Sequence, residues 1–371
     1  MKILLHGYYG FGNLGDDLLL VISYNLLKNK YSKSDIHVLS NANPNNYIYE
    51  LTDSKISIRN YKTTDLFYDL VVHGGGGIHF GYKNGGIYYL VLNSLMKLFG
   101  LNLSVRIIKM IKSIFIRKRT WTSLRVGIGL GIGTFINSSN RFPYEMEIIH
   151  DYKYLFVRDK ISISNLKRYP FQGVLVESSD LVFTRKFFSI PSRLFNPKKR
   201  NIGIILRDWP EDNHYHIKTI IKLTKEIKNK YLINFISFDP NDTYFASQAS
   251  NIDIYNPSKK GIDNILSILG NQELIITSRA HGAYLACCFG IPSICLNIEQ
   301  KMQQVHSSLP NSSKLIEIDR LQNNLEQYIS DIFYEYEIYN EKAKIDYNNN
   351  CLKTEKILNF IDTISDGFYN Y

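Results

Sequence analysis

The chain has 371 residues, 44% hydrophobic and 21% charged, which suits two globular domains and excludes a peptide-sized scaffold or a disordered polyelectrolyte. Its four cysteines, Cys287 and Cys288 adjacent among them, form neither a disulfide framework nor a metal-ligand spacing, so a reducing, cytoplasmic compartment is expected. The net charge of +10 is local: ten of the 44 basic residues lie between Leu70 and Tyr144, where no Asp or Glu occurs, and the 34 outside balance the 34 acids.

The spacing predicts a first strand from Lys2 to His6, then a glycine turn that comes too soon for the apolar core of a secretory signal. A helix follows from about Asp16 to Lys28. The turn reads Gly7-Tyr8-Tyr9-Gly10-Phe11-Gly12-Asn13-Leu14-Gly15-Asp16-Asp17. It departs from the dinucleotide-binding glycine pattern, and its two acids at a helix start would repel a pyrophosphate. A carboxylate there suits hydrogen bonds from sugar hydroxyls or removal of a hydroxyl proton. A helix N-cap is the plainer alternative. Gly12, Asn13, Gly15, Asp16 and Asp17 are the candidate residues of this turn.

Further strands are predicted at Asp35 to Leu39 and Asp69 to His73. The second ends in His73-Gly74-Gly75-Gly76-Gly77-Ile78-His79, a run so costly in chain entropy that a ligand or a packed helix must approach its backbone, with Gly75 and Gly76 at its centre. Neither histidine calls for a metal. From Leu95 to Arg119, apolar residues at spacings of three and four alternate with cations. That pattern fits a basic amphipathic helix lying on an anionic membrane surface, or equally an ordinary surface helix. No nucleic-acid-binding signature accompanies the charge. No uncharged apolar run approaches the roughly 18 to 20 residues of a membrane span, so a peripheral association at most is expected.

Strands at Arg125 to Leu130, Tyr154 to Arg158 and Val174 to Glu177 complete a first domain over residues 1–195, with a second glycine series at Gly127 to Gly133. After the polar, proline-containing stretch from Pro191 to Asn201, the rhythm restarts. Strands are predicted at Asn201 to Arg207, Ile233 to Phe238, Ile252 to Tyr255, Leu274 to Ser278 and Ser293 to Leu296, with helices between, giving a second domain over 196–320. Residues 321–371 read as helices that pack back on the first domain. The fold expected is α/β: two Rossmann-like, doubly wound domains whose strand ends face a shared cleft.

The sharpest chemical signal lies in the second domain. Ile275-Ile276-Thr277-Ser278-Arg279-Ala280-His281-Gly282 puts a guanidinium and an imidazole at a strand-to-helix junction, where backbone N–H groups are also unspent. Arg207, ending the first strand of that domain, is the matching cation. Together they suit a small phosphate- or carboxylate-bearing anion.

These segments, in this order, resemble the polysaccharide pyruvyl transferases. The opening Gly-Tyr-Tyr-Gly-Phe-Gly-Asn-Leu-Gly-Asp-Asp is similar to that family's N-terminal signature, with Asp17 where the family usually has Glu. His73 to Gly77 and Gly127 to Gly133 resemble its glycine-rich segments, and Val157-Arg158-Asp159 to Ser162 its Val-Arg-Asp-x-x-Ser. Ser179-Asp180-Leu181-Val182-Phe183 stands where the family has Asp-Pro-x-Phe, Leu206-Arg207-Asp208-Trp209 resembles its Leu-Arg-x-Trp, and Arg279-Ala280-His281 its Arg-x-His. The resemblance covers about residues 1–308. It implies a GT-B-like fold and transfer of a pyruvyl group from phosphoenolpyruvate to two sugar hydroxyls as a cyclic ketal, in cell-surface polysaccharide biosynthesis, with no cofactor or metal. On that resemblance Arg207 and Arg279 hold the donor, His281 is the general acid or base, and Asp16 and Asp17 face the acceptor, a glycan or a lipid-linked oligosaccharide at the inner leaflet. Two other readings stay open: a nucleotide-sugar glycosyltransferase on the same architecture, and a non-catalytic basic protein binding glycan or membrane through residues 95–119.

Overall fold

The computed structural model describes residues 1–40, 47–52, 57–59, 67–81, 94, 98, 103, 121–135, 142–167, 171–184, 200–210 and 213–368. The predicted basic helix, apart from Leu98 and Leu103, and the predicted linker up to residue 199 lie outside these residues.

Two all-parallel sheets organise the chain. The first contains β1 (Lys2–His6), β2 (Asp35–Leu39), β3 (Ser57–Arg59), β4 (Phe67–Gly81), β5 (Trp121–Phe135), β6 (Tyr154–Val157) and β7 (Val174–Glu177), in the order β3-β2-β1-β4-β5-β6-β7. The second contains β8 (Asn201–Ile205), β9 (Leu232–Ser237), β10 (Ile252–Ile254), β11 (Leu274–Thr277), β12 (Ser293–Asn297) and β13 (Ser313–Glu317), in the order β10-β9-β8-β11-β12-β13. Parallel strands covered on both faces must be apolar throughout, and β11 is buried at every residue. In each sheet the order reverses between two neighbours, β1 and β4 in one and β8 and β11 in the other. Ligands of open α/β sheets bind outside the strand ends at such reversals.

The connecting helices of the first sheet are α1 (Leu14–Lys30), α2 (Tyr47–Leu51), α3 (Phe142–His150) and α4 (Lys160–Lys167). Those of the second are α5 (Tyr215–Ile227), α6 (Thr243–Gln248), α7 (Lys259–Gly270), α8 (Ala280–Cys288) and α9 (Gln300–Ser308), followed by α10 (Leu321–Tyr334) and α11 (Tyr336–Phe368). Helix α1 begins two residues earlier than its sequence predicts, because Asn13, in an extended conformation, accepts hydrogen bonds from the N–H groups of Gly15 and Asp16. The cap is therefore Asn13, and the Asp16 carboxylate is spared that duty.

The long helix α11 returns to the first domain. Lys30 pairs with Asp362 at 3.0 Å, the Tyr31 hydroxyl donates to the carbonyl of Ile361, and the Phe360 ring packs on Tyr154 and Phe156. The same helix holds the second domain, since Asp346 accepts from the N–H groups of Asn311 and Ser312. One apolar core runs through both domains, from Ile3, Leu14 and Leu181 to Tyr284, Cys288 and Cys351. An interface of that kind restrains relative domain motion. All four cysteines are buried in it and unpaired.

Several elements depart from the expectations. Strand β4 does not stop at His73 but continues through the four glycines to Gly81, with register shifts against β5 after Gly76. Strand β13, unforeseen, adds an edge to the second sheet. Helices α3 and α4 were likewise not predicted: in α4 the Ser162 hydroxyl is spent on Asp159 and on the N–H of Ile132, contacts that no local pattern foretells.

Candidate active site

A cleft of about 670 Å³ lies where the two strand-order reversals face each other. The first domain lines it with His6, Tyr8, Phe11, Asn13, Asp16, His73 and Gly77, and the second with Arg207, Asp239, Arg279, His281, Glu299 and Lys301. Arg158, one residue past β6, also reaches it.

The start of α1 is docked directly on the second domain. The Leu14 N–H donates to the Phe238 carbonyl at 2.9 Å, and the Asn13 amide donates to Asp239 Oδ2 at 3.3 Å. Gly15 has to be glycine: a Cβ there would stand 1.9 Å from Nδ1 of His281. This contact brings Asp16 and His281, which are 265 positions apart in the chain, to one place. Burial raises the Asp16 carboxyl above the usual range, with His281, Lys301 and Arg279 pulling the other way. It is suited to hold and release a proton.

His281 stands beside a carboxylate that the sequence motifs did not mark as a site residue. Its Nε2 lies 3.6 Å from Asp180 Oδ2, and the same Asp180 oxygen accepts from Arg158 Nη1 at 2.8 Å. Burial works to raise the Asp180 carboxyl, but His281 and Arg158 outweigh it and hold it at about 2. Asp180 thus stays ionised and ties a first-domain guanidinium to a second-domain imidazole.

The two predicted donor-binding arginines are largely occupied. Arg207 Nη1 donates to Glu299 at 3.0 Å, with its guanidinium 4.9 Å from the Trp209 ring centre. Arg279 donates through Nε and Nη2 to Asp242 Oδ2, and its Nη2 stands 3.6 Å from Asp239. Both still line the cleft, but Arg158 and Lys301 carry donors that are unspent. Arg158 is 1% exposed, and its Nε and Nη2 have no hydrogen-bond partner among the described residues. Lys301, in the first turn of α9, makes no hydrogen bond or ion pair among them, and burial lowers its ammonium to about 8, aided by Arg158 and Arg207 and opposed by Glu299. A Cβ on Gly77 would lie 3.9 Å from Arg158 Nη2 and 4.0 Å from Lys301 Cε, so the two cationic side chains meet over that glycine. Arg158 stands in the Val-Arg-Asp segment quoted above, whereas Lys301 stands in none of the motifs. The signal that could have separated them from other cations is position, one at a strand end and one in a helix's first turn beside the same reversal.

Several expected contacts are corrected. Asp17 does not face the cleft: it is fully buried and accepts from the Tyr255 hydroxyl at 2.9 Å and the Tyr47 hydroxyl at 3.4 Å, and burial pushes its carboxyl up to about 7. Gly12 lies outside the main cleft, with its N–H donating to the Tyr47 hydroxyl and a would-be Cβ 3.2 Å from Pro257. Gly75 is packed rather than open, since a Cβ would meet Leu19 at 2.8 Å and Leu181 at 3.2 Å, while one on Gly76 would meet Leu19 at 3.4 Å and Asp16 at 3.6 Å. A helix, not a ligand, approaches these two glycines. Asn13 caps α1 and bridges to Asp239 as described.

Imidazoles floor the first-domain half. Burial, with Arg125 and His79, holds the His6 ring down at about 3, and His79 sits between Glu145 at 3.0 Å and Tyr152 at 2.9 Å. Among the described residues no group of three His, Cys, Asp or Glu is placed to hold a metal ion.

Two doubly wound domains with their strand-order reversals opposed across a polar cleft define a GT-B-type α/β protein. Solved structures share the architecture across their whole length. A putative UDP-N-acetylglucosamine 2-epimerase from Listeria monocytogenes superposes with a TM-score of 0.58 at 13% identity, over 99% of this chain and 97% of that one. S. aureus MnaA, solved with UDP, gives 0.59 at 12% identity over 98% and 97%. The glycotransferase of kitacinnamycin gives 0.53 at 10% over 98% and 98%. At such identities the likeness speaks for fold alone. A search of curated proteins finds no match. The sequence model of the polysaccharide pyruvyl transferases, however, matches residues 13–300, and the chain belongs to that transferase family. No helix among the described residues is long and apolar enough to cross a membrane.

Proposed function

We propose that the protein transfers a pyruvyl group from phosphoenolpyruvate to two hydroxyls of a glycan acceptor, closing a cyclic ketal and releasing phosphate. The observation that carries this reading is the convergence of Arg158 and Lys301 on one point above Gly77, with His281 and Asp16 at the same cleft. Phosphoenolpyruvate is a compact polyanion. Its phosphate suits the unspent donors of Arg158 and Lys301, and its carboxylate suits the arginine edge formed by Arg207 and Arg279.

In the first step one sugar oxygen bonds to C2 of the enol phosphate, Asp16 takes the hydroxyl proton, and His281 delivers a proton to C3, which becomes a methyl group. In the second step the C2–O bond to phosphate breaks and the second hydroxyl closes the ring, its proton leaving with phosphate or solvent. Asp180, 3.6 Å from His281 Nε2, helps keep the imidazole in place. The raised carboxyl of Asp16 matches a group that must both accept and surrender a proton.

Phosphate release from phosphoenolpyruvate with a panel of lipid-linked sugars tests the reading directly. Thermal shifts discriminate the donor: stabilisation by phosphoenolpyruvate and not by UDP or GDP is expected, and the reverse would favour a nucleotide-sugar transferase. The cationic segment 95–119 supports, by its sequence, docking beside anionic lipid at the inner leaflet. Its charge reversal should weaken binding to anionic vesicles and leave turnover of a soluble acceptor unchanged.

A further inference from the structure

We propose that Tyr8 and Phe11 form a stacking platform for a pyranose ring of the acceptor, a proposal that rests on the reading of the cleft as a glycan-modifying site. Tyr8 is 56% exposed and Phe11 39% exposed, and both line the cleft on the first-domain side. Their rings stack on one another with centres 4.2 Å apart and planes 17° from parallel. Leaving about half of two large aromatic side chains in water forgoes part of the gain from burying them. Aromatic walls with a few polar groups beside them are the usual lining of a small-molecule site.

The turn builds this pair deliberately. Tyr9 points inward, 1% exposed, with its hydroxyl donating to the Gly74 carbonyl at 2.5 Å. Gly10 and Gly12 adopt φ of 88° and 80°, conformations that disfavour a side chain, and they bracket Phe11 so that it returns over Tyr8. Two rings already stacked lose little freedom when a third surface is added.

The chemistry of the cleft is divided in a way that fits one occupant. The second-domain half carries Arg207, Arg279, His281 and Lys301, which together with Arg158 from the far end of the first-domain half suit an anion. The first-domain half offers an aromatic face beside Asn13 and Asp16. A pyranose has a face of weakly positive C–H groups, attracted to the negative face of an aromatic ring, and an edge of hydroxyls that a carboxylate or amide can bind. A hydrocarbon chain has no use for the polar neighbours, and a nucleobase would stack but brings its diphosphate beside Asp16.

Saturation-transfer difference NMR tests this without phosphoenolpyruvate, using methyl β-D-galactopyranoside and methyl β-D-glucopyranoside as probes and uridine as the competing one. The wild type should saturate the C–H protons of one sugar face. Tyr8→Leu and Phe11→Leu, which keep the apolar bulk and remove the ring, should weaken that signal about threefold to tenfold, and Tyr8→Phe should retain it. Unchanged melting temperatures would show that the variants fold. No glycoside signal in the wild type, an equal signal in the leucine variants, or a Tyr8-dependent signal from uridine alone would overturn the proposal. Because no donor is present, failure of phosphate release would count against the donor reading and leave this result standing.

Discussion

Gly15→Ala is a single-methyl test of whether His281 must sit where the domains meet. In the structure the new Cβ would stand 1.9 Å from His281 Nδ1, 2.5 Å from Cγ and 2.7 Å from Cε1, so relief requires about 1.5 Å of movement to reach ordinary contact. The helix start cannot supply it cheaply, since Leu14 is bonded to Phe238 and Asn13 to Asp239 across the interface. The imidazole must swing instead, away from Asp180 and out of line with the cleft. Misplacement by about 1 Å costs on the order of 100-fold in rate, so kcat/KM in the phosphate-release assay should fall by about that factor. Stability should fall by about 1–3 kcal/mol from overpacking, less the roughly 0.5–1 kcal/mol that alanine gains over glycine within a helix. The pair of measurements is phosphate release and urea unfolding, with the His281 imidazole followed by NMR. A variant with near-normal turnover and an unmoved imidazole resonance would refute the reasoning.

Three further outcomes are expected. Arg279→Lys keeps the charge but loses the fork through which Nε and Nη2 both reach Asp242, so kcat/KM should drop at least about tenfold with unchanged circular dichroism; near-normal turnover would count against the arginine edge. Lys301, held near 8 by burial, should lose its charge as pH rises, so kcat/KM for phosphoenolpyruvate should decline above about pH 8 and Lys301→Arg should remove that limb; a profile identical in the two proteins would remove Lys301 from the donor site. Asp17 titrates near 7 when folded against about 3.9 unfolded, so the folded protein binds this proton more tightly. Its contribution is complete below about pH 4 and is lost as pH rises through 7, about 4 kcal/mol at the limit. Urea unfolding of Asp17→Asn across that range should lack this slope, and a slope equal to that of the wild type would contradict the assignment.

The alternation of strand and helix was legible along the chain because a buried parallel strand must be apolar and its period is set by neighbours a few residues away. So was the placement of Arg207, Arg279 and His281 at strand ends, since a strand-to-helix junction is a local event. Short edge elements such as β13 escaped notice, for an edge needs less apolar sequence than a centre. What only the tertiary structure decided is which groups remain unspent. Asp16 and Asp17 are adjacent in sequence and look alike there, yet one turns to the cleft and the other to Tyr47 and Tyr255. Arg207 and Arg279 carry the expected charge but meet Glu299 and Asp242, while Arg158 and Lys301, 143 positions apart, converge above Gly77. A residue's type and local pattern fix where its backbone goes, but the free charge it offers a substrate depends on partners that arrive from distant parts of the chain.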